Sequence, residues 1–127
     1  YPDRVHKLLL IFPAFVLFDD AKATYHELGS PDFDQLPDSL THHNTTLGKI
    51  YLIDALNIDI QAEQTNITAP TLIIHGTDDA VVPYQYAVQA SQTIPNAKLV
   101  TVEGGEHRID ERFAITAAPA IQKFLKE

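Results

Sequence analysis

Two residues whose side chains could do acid–base chemistry, Asp79 and His107, each lie shortly after an apolar stretch of the sequence. The run Thr71–Ile74 leads into the segment HGTDD, which ends at Asp79, and the run Lys98–Val102 leads into EGGEH, which ends at His107. A carboxylate that orients an imidazole, which then removes a proton from a hydroxyl, supplies two members of a nucleophilic triad. The sequence therefore predicts an acid–base pair if the fold brings these residues together.

The segment between the two runs predicts how they meet. Five of its residues, most of them apolar, fall on one face of a helix: Tyr84, Ala87, Val88, Ser91 and Ile94. Two strands joined through such a helix form a right-handed unit with parallel strands, which lie about 4.8 Å apart. Ligands bind at the carboxyl ends of strands in open α/β sheets. We therefore expect Asp79 and His107 to meet at that edge, although they are distant in the chain.

A further strand is predicted near the start of the sequence. The uninterrupted apolar run Leu8–Phe12 is ended by Pro13, and such a run is typical of a strand buried on both faces of a parallel sheet. A short buried helix is the alternative, but the flanking prolines favour a strand. The predicted fold class is therefore α/β, with three parallel strands near residues 7–12, 71–76 and 98–103 and with flanking helices.

Residues 14–66 have a more polar composition, with two acidic clusters and two prolines. We expect loops and short elements first, then a helix over Thr46–Asn57 with Thr45 or Thr46 as its N-cap, and a short helix over Asp59–Gln64. A polar segment of this length is too long for a plain connection between strands. It predicts a lid inserted over the carboxyl ends of the strands.

The end of the sequence predicts a helix that begins at Glu111 and is capped by Asp110. Its buried stripe would consist of five residues: Phe113, Ala117, Ile121, Phe124 and Leu125. Because Pro119 lies inside this pattern and cannot donate a backbone hydrogen bond, we expect a kink, or a break into two helices, near Ala118.

The composition excludes several classes of function. The 127 residues carry 17 acidic groups and a net charge of −8, which argues against a nucleic-acid partner. The absence of cysteine excludes disulfides and cysteine-based zinc sites and favours a cytoplasmic location. No apolar run approaches the roughly 20 residues needed to span a membrane. Because the sequence contains no methionine and starts at Tyr1, we expect it to be a fragment of a longer protein.

The two turns resemble those of the α/β-hydrolases, in the C-terminal half of that fold. In that family the acid lies in an HG-x-x-D-x-x-V/P turn and the base in a G-x-x-H turn. The resemblance implies that Asp79 is the triad acid and His107 the triad base, with no metal or organic cofactor. Asp78 is the competing position, and we expect it instead to accept backbone hydrogen bonds within the turn. His75 is expected to be structural, and the pair at positions 42–43 to be solvated rather than a zinc site.

The segments LFDDA at 17–21 and LGKIY at 47–51 are similar to the lid of bacterial cinnamoyl (feruloyl) esterases. This resemblance implies a small-molecule ester substrate. It also implies that Asp20 and Tyr51 could hydrogen-bond the phenolic end of an aromatic acyl group.

The sequence departs from the family at the nucleophile, because it contains no G-x-S-x-G motif. Its serines are Ser30, Ser39 and Ser91, none of which is flanked by a pair of glycines. We therefore expect the chain to be inactive alone. We also expect the apolar Leu8–Phe12 strand to pair with a missing N-terminal half or with a second copy in a homodimer.

Two alternative functions remain open from the residues alone. The first is a non-catalytic α/β interaction module that persists as a dimer. The second, which is weaker, is a flavodoxin-like binder of small molecules, although no glycine-rich phosphate loop follows any predicted strand.

Overall fold

Five strands and five α-helices follow one another along the chain in a computed structural model that describes residues 4–42 and 44–127. The strands are β1 (Leu8–Ile11), β2 (Ser39–His42), β3 (Thr45–Gly48), β4 (Thr71–Gly76) and β5 (Ala97–Val102). The helices are α1 (Leu17–Glu27), α2 (Lys49–Asn57), α3 (Ile60–Thr65), α4 (Tyr84–Thr93) and α5 (Glu111–Lys126). Residues 1–3 and 43 lie outside the described residues, and only the backbone is described at position 42, so the expectation of a solvated pair at positions 42–43 stays a prediction.

The predicted α/β fold class is confirmed, with its three parallel strands within a residue of their expected bounds. They form one sheet in the order β1-β4-β5, in which Leu8 pairs with Thr71 and Thr71 with Ala97. All six residues of β4 are buried, as befits the central strand. Because both of its neighbours run parallel to it, β4 and β5 end at the same edge of the sheet, where Gly76 pairs with Val102.

A hydrophobic layer covers each face of the sheet, because successive side chains of a strand point to opposite faces. On one face Leu72 and Ile74 pack with residues of α5, including Phe113 and Phe124. On the other face Ile73 packs with Ala87, Ala90 and Ile94 of the α4 segment. Burying each large apolar side chain contributes about 1.5–3 kcal/mol, so these two layers hold the ends of β4 and β5 in a fixed relation.

The helix α5 corrects two expectations. It is continuous through Pro119, so the expected break into two helices does not occur. The carbonyl that loses its partner, four residues earlier at Ile115, belongs to a residue that is 68% exposed and can be hydrated. Leu125 is also exposed rather than part of the buried stripe. The predicted cap is present, because the Asp110 carboxylate accepts the backbone N–H of Phe113 at 2.9 Å.

Residues Val16–Ile60 form a second compact unit, distinct from the unit that contains the sheet. Here β2 and β3 form an antiparallel hairpin, and a small core unites α1, α2 and the intervening segment through Ala21, Leu36, Leu52 and Ala55. The role of a lid stays a prediction for this unit. No helix in the described ranges is both long and apolar enough to cross a membrane.

Two sequence predictions fail within this second unit. Residues 46–48 belong to β3 rather than to a helix, and α2 begins after Gly48. The β-branched pairs favour the hairpin because Thr46 lies opposite Thr41, and Asn44 supplies the left-handed turn residue with φ 61°. The segment expected to be loops and short elements contains the 11-residue helix α1, whose first turn places Asp19 and Asp20 where a helix favours acidic groups.

Candidate active site

The turn after β4 buries the Asp79 carboxylate and satisfies one of its oxygens with the backbone. Asp79 is 6% exposed, and its Oδ1 accepts hydrogen bonds from the N–H groups of Val81 at 2.9 Å and Val82 at 2.8 Å. The expectation that Asp78 takes the turn's backbone hydrogen bonds is therefore wrong. Instead, the Asp78 carboxylate accepts the Thr77 hydroxyl at 3.0 Å. Asp79 takes the amides because its side chain points into the turn.

The structure brings Asp79 and His107 together at the carboxyl edge of the sheet. His107 Nδ1 lies 2.7 Å from Asp79 Oδ2, and the His107 side chain is 35% exposed whereas the carboxylate is buried. With an ionised carboxylate as the acceptor, Nδ1 carries the proton and donates it. The neutral imidazole therefore keeps its lone pair on Nε2, which is the nitrogen able to accept a proton from a hydroxyl.

The pKa of Asp79 is lowered from its ordinary value of 3.8. Burial acts in the opposite direction and would raise it, but the hydrogen bonds from the Val82 amide, His107 and the Val81 amide outweigh burial. The carboxylate is thus held in its charged form. A charged acceptor at Nδ1 is what an imidazole needs in order to stabilise the positive charge that it gains on accepting a proton.

Three hydrogen bonds tie the turn of Asp79 to the turn of His107. The Thr77 N–H donates to the Val102 carbonyl at 3.1 Å, and the Asp78 N–H donates to the Gly105 carbonyl at 2.9 Å. The Gly104 N–H donates to the Thr77 hydroxyl at 2.8 Å. The turns also approach so closely that a Cβ on Gly76 would overlap the Gly105 carbonyl. The glycines of both sequence motifs therefore permit the contact that fixes the two turns.

His75 is fully buried beside the same carboxylate, in agreement with its expected structural role. Its Nε2 lies 2.9 Å from the Val82 carbonyl and 3.2 Å from Asp79 Oδ2. Because both neighbours are acceptors, Nε2 must carry the proton of the neutral ring. The unprotonated Nδ1 is buried and has no hydrogen-bond partner among the described residues. His75 therefore helps to surround Asp79 with donors and is not itself poised to exchange protons with substrate.

Phe12, predicted from the sequence only as the end of a strand, is part of the site. Its ring centroid lies 5.0 Å from that of His107 and 6.0 Å from that of His75. Its backbone φ is 47°, in the left-handed region. No pattern in the sequence indicated this contact, because apolar runs do not show where the last residue of a strand directs its side chain.

Asp20 and Tyr51, the residues expected to meet a phenolic group, lie in the second unit and line the same small cavity. Leu17, Leu47 and Leu52 are among its other lining residues. The cavity has a volume of about 30 Å³, which is room for a water molecule rather than an aromatic ring. The structure thus brings the two polar residues together, and the cavity would have to widen to admit an aryl group.

The described elements do not identify a nucleophile or a metal centre. Ser91 lies within α4, where its hydroxyl donates to the Val88 carbonyl, and Ser39 lies in β2. Ser30 lies in a turn with φ 51°. No group of three or more potential metal ligands occurs within residues 4–42 and 44–127. The pair formed by Asp79 and His107 has the geometry in which a carboxylate orients an imidazole, and an imidazole held in this way can act as a general base.

Sequence comparisons find a family and several relatives that match about half of this chain. The Abhydrolase_4 family, described as TAP-like protein, matches residues 56–127. RutD of Stutzerimonas stutzeri (strain A1501), whose name assigns it to carbamate hydrolysis, is 39% identical over 70 residues, or 54% of this chain and 26% of that protein. The non-heme chloroperoxidase CPO-A1 of Kitasatospora aureofaciens is 39% identical over 67 residues, or 51% of this chain and 24% of that protein.

Structural comparison extends the similarity to nearly the whole chain. Est1E from Butyrivibrio proteoclasticus matches with a TM-score of 0.80 and 29% identity, covering 99% of this chain and 54% of that one. A structure of Est1E with bound ferulic acid matches with a TM-score of 0.77. The chain spans about a quarter of the curated relatives named above and about half of Est1E. With its sheet and paired turns, and a family match over more than half of its residues, the chain belongs to the α/β-hydrolase superfamily.

Proposed function

We propose that this chain supplies the acid and the base of a serine hydrolase that acts on carboxylic esters. The observation that carries the proposal is the hydrogen bond of 2.7 Å between His107 Nδ1 and the buried Asp79 Oδ2. An imidazole held in this way presents Nε2 as a base. The lowered pKa of Asp79 keeps the carboxylate that orients this imidazole in its charged form.

The proposed reaction uses a serine hydroxyl from a segment outside these 127 residues. His107 Nε2 accepts the hydroxyl proton while the serine oxygen bonds to the ester carbonyl carbon. As the tetrahedral intermediate collapses, His107 returns the proton to the departing alcohol, which leaves an acyl-serine. A water molecule, deprotonated by His107 in the same way, then attacks the acyl carbon. The bond between that carbon and the serine oxygen breaks, His107 returns the proton to the serine oxygen, and the carboxylic acid departs. Asp79 stabilises the imidazolium in both steps and is not itself protonated.

For the substrate we propose an ester with an aromatic acyl group of the hydroxycinnamoyl type. The similarity to Est1E, one structure of which holds ferulic acid, supports this class. The placement of Asp20 and Tyr51 on one cavity supports it further, because a carboxylate and a phenol can hydrogen-bond a phenolic hydroxyl. The small volume of that cavity requires that substrate binding open it.

The proposal includes inactivity of the chain when it is alone. A triad without its nucleophile keeps at most the residual catalysis that comes from binding and oxyanion contacts. The edge strand β1 is the surface through which a partner that bears the nucleophile would join the sheet. The partner would extend the sheet from β1, on the side away from β4.

The experiment compares this chain with a longer protein that includes the matching upstream segment of an Est1E-like hydrolase. We expect the longer protein to hydrolyse 4-nitrophenyl acetate and methyl ferulate and to react with a serine-directed fluorophosphonate probe. The 127-residue chain alone should do neither. Hydrolysis by the isolated chain, or a longer protein that neither hydrolyses esters nor takes up the probe, would count against the proposal.

The substrate class is tested separately with Tyr51→Phe and Asp20→Asn in the longer protein. Each variant removes a hydrogen-bonding partner and should raise the KM for methyl ferulate about tenfold, while leaving 4-nitrophenyl acetate, which has no phenolic acyl group, within about twofold. Equal effects on both esters would argue against a phenolic subsite.

A non-catalytic interaction module is the second candidate, and the edge position of β1 is the observation that favours it. In that case the chain would self-associate through β1, and the Asp79–His107 pair would serve only to fix the two turns. Substitution of His107 would then change the stability of the fold and would not change any rate of ester hydrolysis.

A further inference from the structure

Phe12 ends β1 in a backbone conformation that large side chains rarely adopt. Its φ of 47° places it in the left-handed region, where the Cβ atom crowds the following carbonyl. It also precedes Pro13, which restricts its backbone further. Bulky residues persist in such conformations only where the surrounding structure holds them, and these conformations cluster at functional sites.

The contacts that hold Phe12 also fix the direction of its ring. Its N–H donates to the Ile74 carbonyl at 3.1 Å, which anchors the backbone to the central strand. Its ring packs against Phe113 of α5, with centroids 4.7 Å apart and an interplanar angle of 50°. The ring therefore lies between Phe113 of α5 and the imidazoles of His75 and His107 at the sheet edge.

The Phe12 ring restrains a motion of His107 that the hydrogen bond to Asp79 leaves free, namely rotation of the imidazole. The ring centroids of Phe12 and His107 are 5.0 Å apart at an angle of 43°, within the range of favourable aromatic pairs. A single hydrogen bond from Nδ1 fixes one edge of an imidazole but allows rotation about the N–H···O axis. A second contact on the ring removes that freedom and so aims Nε2 in one direction.

We propose that Phe12 is a positioning residue that holds the His107 imidazole in one orientation relative to the Asp79 carboxylate. The proposal rests on the proposed function, in which His107 is the base. Phe12 thus links the strained end of β1 to the orientation of the base.

The simpler reading is that Phe12 is a core residue of the cluster beneath α5, to which it contributes apolar area. That reading predicts a loss of stability when the ring is removed and no specific change at His107. The two readings are separated by observing the proton that His107 shares with Asp79.

The test is NMR of the chain with ¹⁵N-labelled histidine, in which the His107 Nδ1–H signal is assigned by its loss in His107→Ala. Phe12→Leu keeps apolar volume without a ring, and Phe12→Tyr keeps the ring. Phe15→Leu is the matched control, because Phe15 is a partly buried aromatic that packs on the opposite layer of the sheet. If Phe12→Leu does not fold, Phe12→Met takes its place.

We expect the Nδ1–H proton to exchange with water about tenfold faster in Phe12→Leu than in the wild type, and within about twofold in Phe12→Tyr and Phe15→Leu. In the nucleophile-bearing protein, Phe12→Leu should lower kcat about tenfold with little change in KM. An unchanged exchange rate in folded Phe12→Leu would overturn the proposal. If the longer protein hydrolyses no ester, the proposed function fails, whereas the exchange measurement still decides the role of Phe12.

Discussion

At the scale of single residues, the site depends on the protein groups that donate hydrogen bonds to one buried carboxylate. Asp79 receives two backbone N–H groups on Oδ1 and the His107 imidazole on Oδ2, with His75 Nε2 at 3.2 Å from the same Oδ2. Burial alone would raise the pKa of Asp79 and favour the neutral acid, and the hydrogen bonds from the Val82 amide, His107 and the Val81 amide reverse that preference. The negative charge of Asp79 is therefore maintained by the folded turn.

This balance makes the stability of the fold depend on pH through Asp79. A carboxyl whose pKa is lower in the folded state contributes stability that is fully present above its ordinary value, 3.8. That contribution is lost as the pH falls through the lower folded pKa. Asp79→Asn should therefore flatten the decline in the free energy of unfolding below about pH 4.

The measurement is urea denaturation between about pH 2 and pH 7 for the wild type, Asp79→Asn and Asp78→Asn. Asp78→Asn removes the same formal charge from an adjacent, exposed position. The difference between the two variants therefore gives the contribution of the buried Asp79 carboxylate to the pH dependence of stability. Identical pH dependence in all three proteins would show that the Asp79 carboxylate does not stabilise the fold.

The sequence allowed the pair itself to be predicted, because an Asp and a His after two successive strands must reach the same sheet edge. It did not reveal Phe12 or the hydroxyl of Thr77, whose hydrogen bond with Gly104 helps to join the turns. Those contacts depend on a positive φ and on the depth at which one turn packs against the other. Neither quantity leaves a periodic pattern in a sequence.

At the scale of elements, the two turns act as one unit because their backbones touch. Gly76→Ala places a Cβ against the Gly105 carbonyl, and neither backbone can move without breaking the hydrogen bond from Asp78 to Gly105. We expect the free energy of unfolding to fall by about 1–3 kcal/mol, as for other overpacked sites.

Gly48→Ala is the control for this substitution, because the nearest atoms to its added Cβ lie at an ordinary contact distance of 3.9 Å. Thermal unfolding of both variants, followed by circular dichroism, compares the two sites. Equal melting temperatures for Gly76→Ala and Gly48→Ala would mean that the turns are not in the close contact described.

Pro119 offers a second test at this scale, since it lies inside the continuous helix α5. Pro119→Ala restores a backbone donor for the Ile115 carbonyl and removes the ring from the helix interior. The variant should raise the free energy of unfolding by about 1–3 kcal/mol. Ala118→Ser, a neighbouring exposed change that keeps the backbone donor, serves as the reference, and a lower stability for Pro119→Ala would contradict the account of α5.

The elements were predicted correctly where hydrophobic burial determines the secondary structure. They were missed where cross-strand pairing or the composition of a polar segment determines it. The three parallel strands were predicted because continuous apolar runs have few alternatives. The β2–β3 hairpin was missed because Thr46 and Leu47 also fit a helical pattern, and the pairing across the strands was not visible in that pattern. Helix α1 was missed because its acidic first turn has the composition of a surface loop.

At the scale of the whole molecule, the proposal of a partner rests on β1. It is an edge of the three-stranded sheet, and all four of its residues are only partly buried. The N–H groups of Leu8 and Phe12 donate to carbonyls of the β4 segment. By alternation along a parallel strand, those of Leu9 and Ile11 point away from β4. The edge can therefore accept another strand.

Light scattering tests whether this edge associates. We expect the isolated chain, with a monomer mass of 14.1 kDa, to form a species of about twice that mass at high concentration. Leu9→Pro removes an outward N–H, which an edge strand tolerates, and should yield a folded monomer by circular dichroism and light scattering. A wild-type chain that stays monomeric at all concentrations would contradict the proposed pairing.

The central claim is that His107 is the base of an ester hydrolase, and replacing His107 in the nucleophile-bearing protein tests it most directly. His107→Ala should lower kcat for 4-nitrophenyl acetate by about 10⁴-fold or more, while leaving KM within about threefold. His26→Ala, which removes an imidazole from the last turn of α1, should retain the wild-type rate. A His107→Ala enzyme that hydrolyses the ester as fast as His26→Ala would contradict the account.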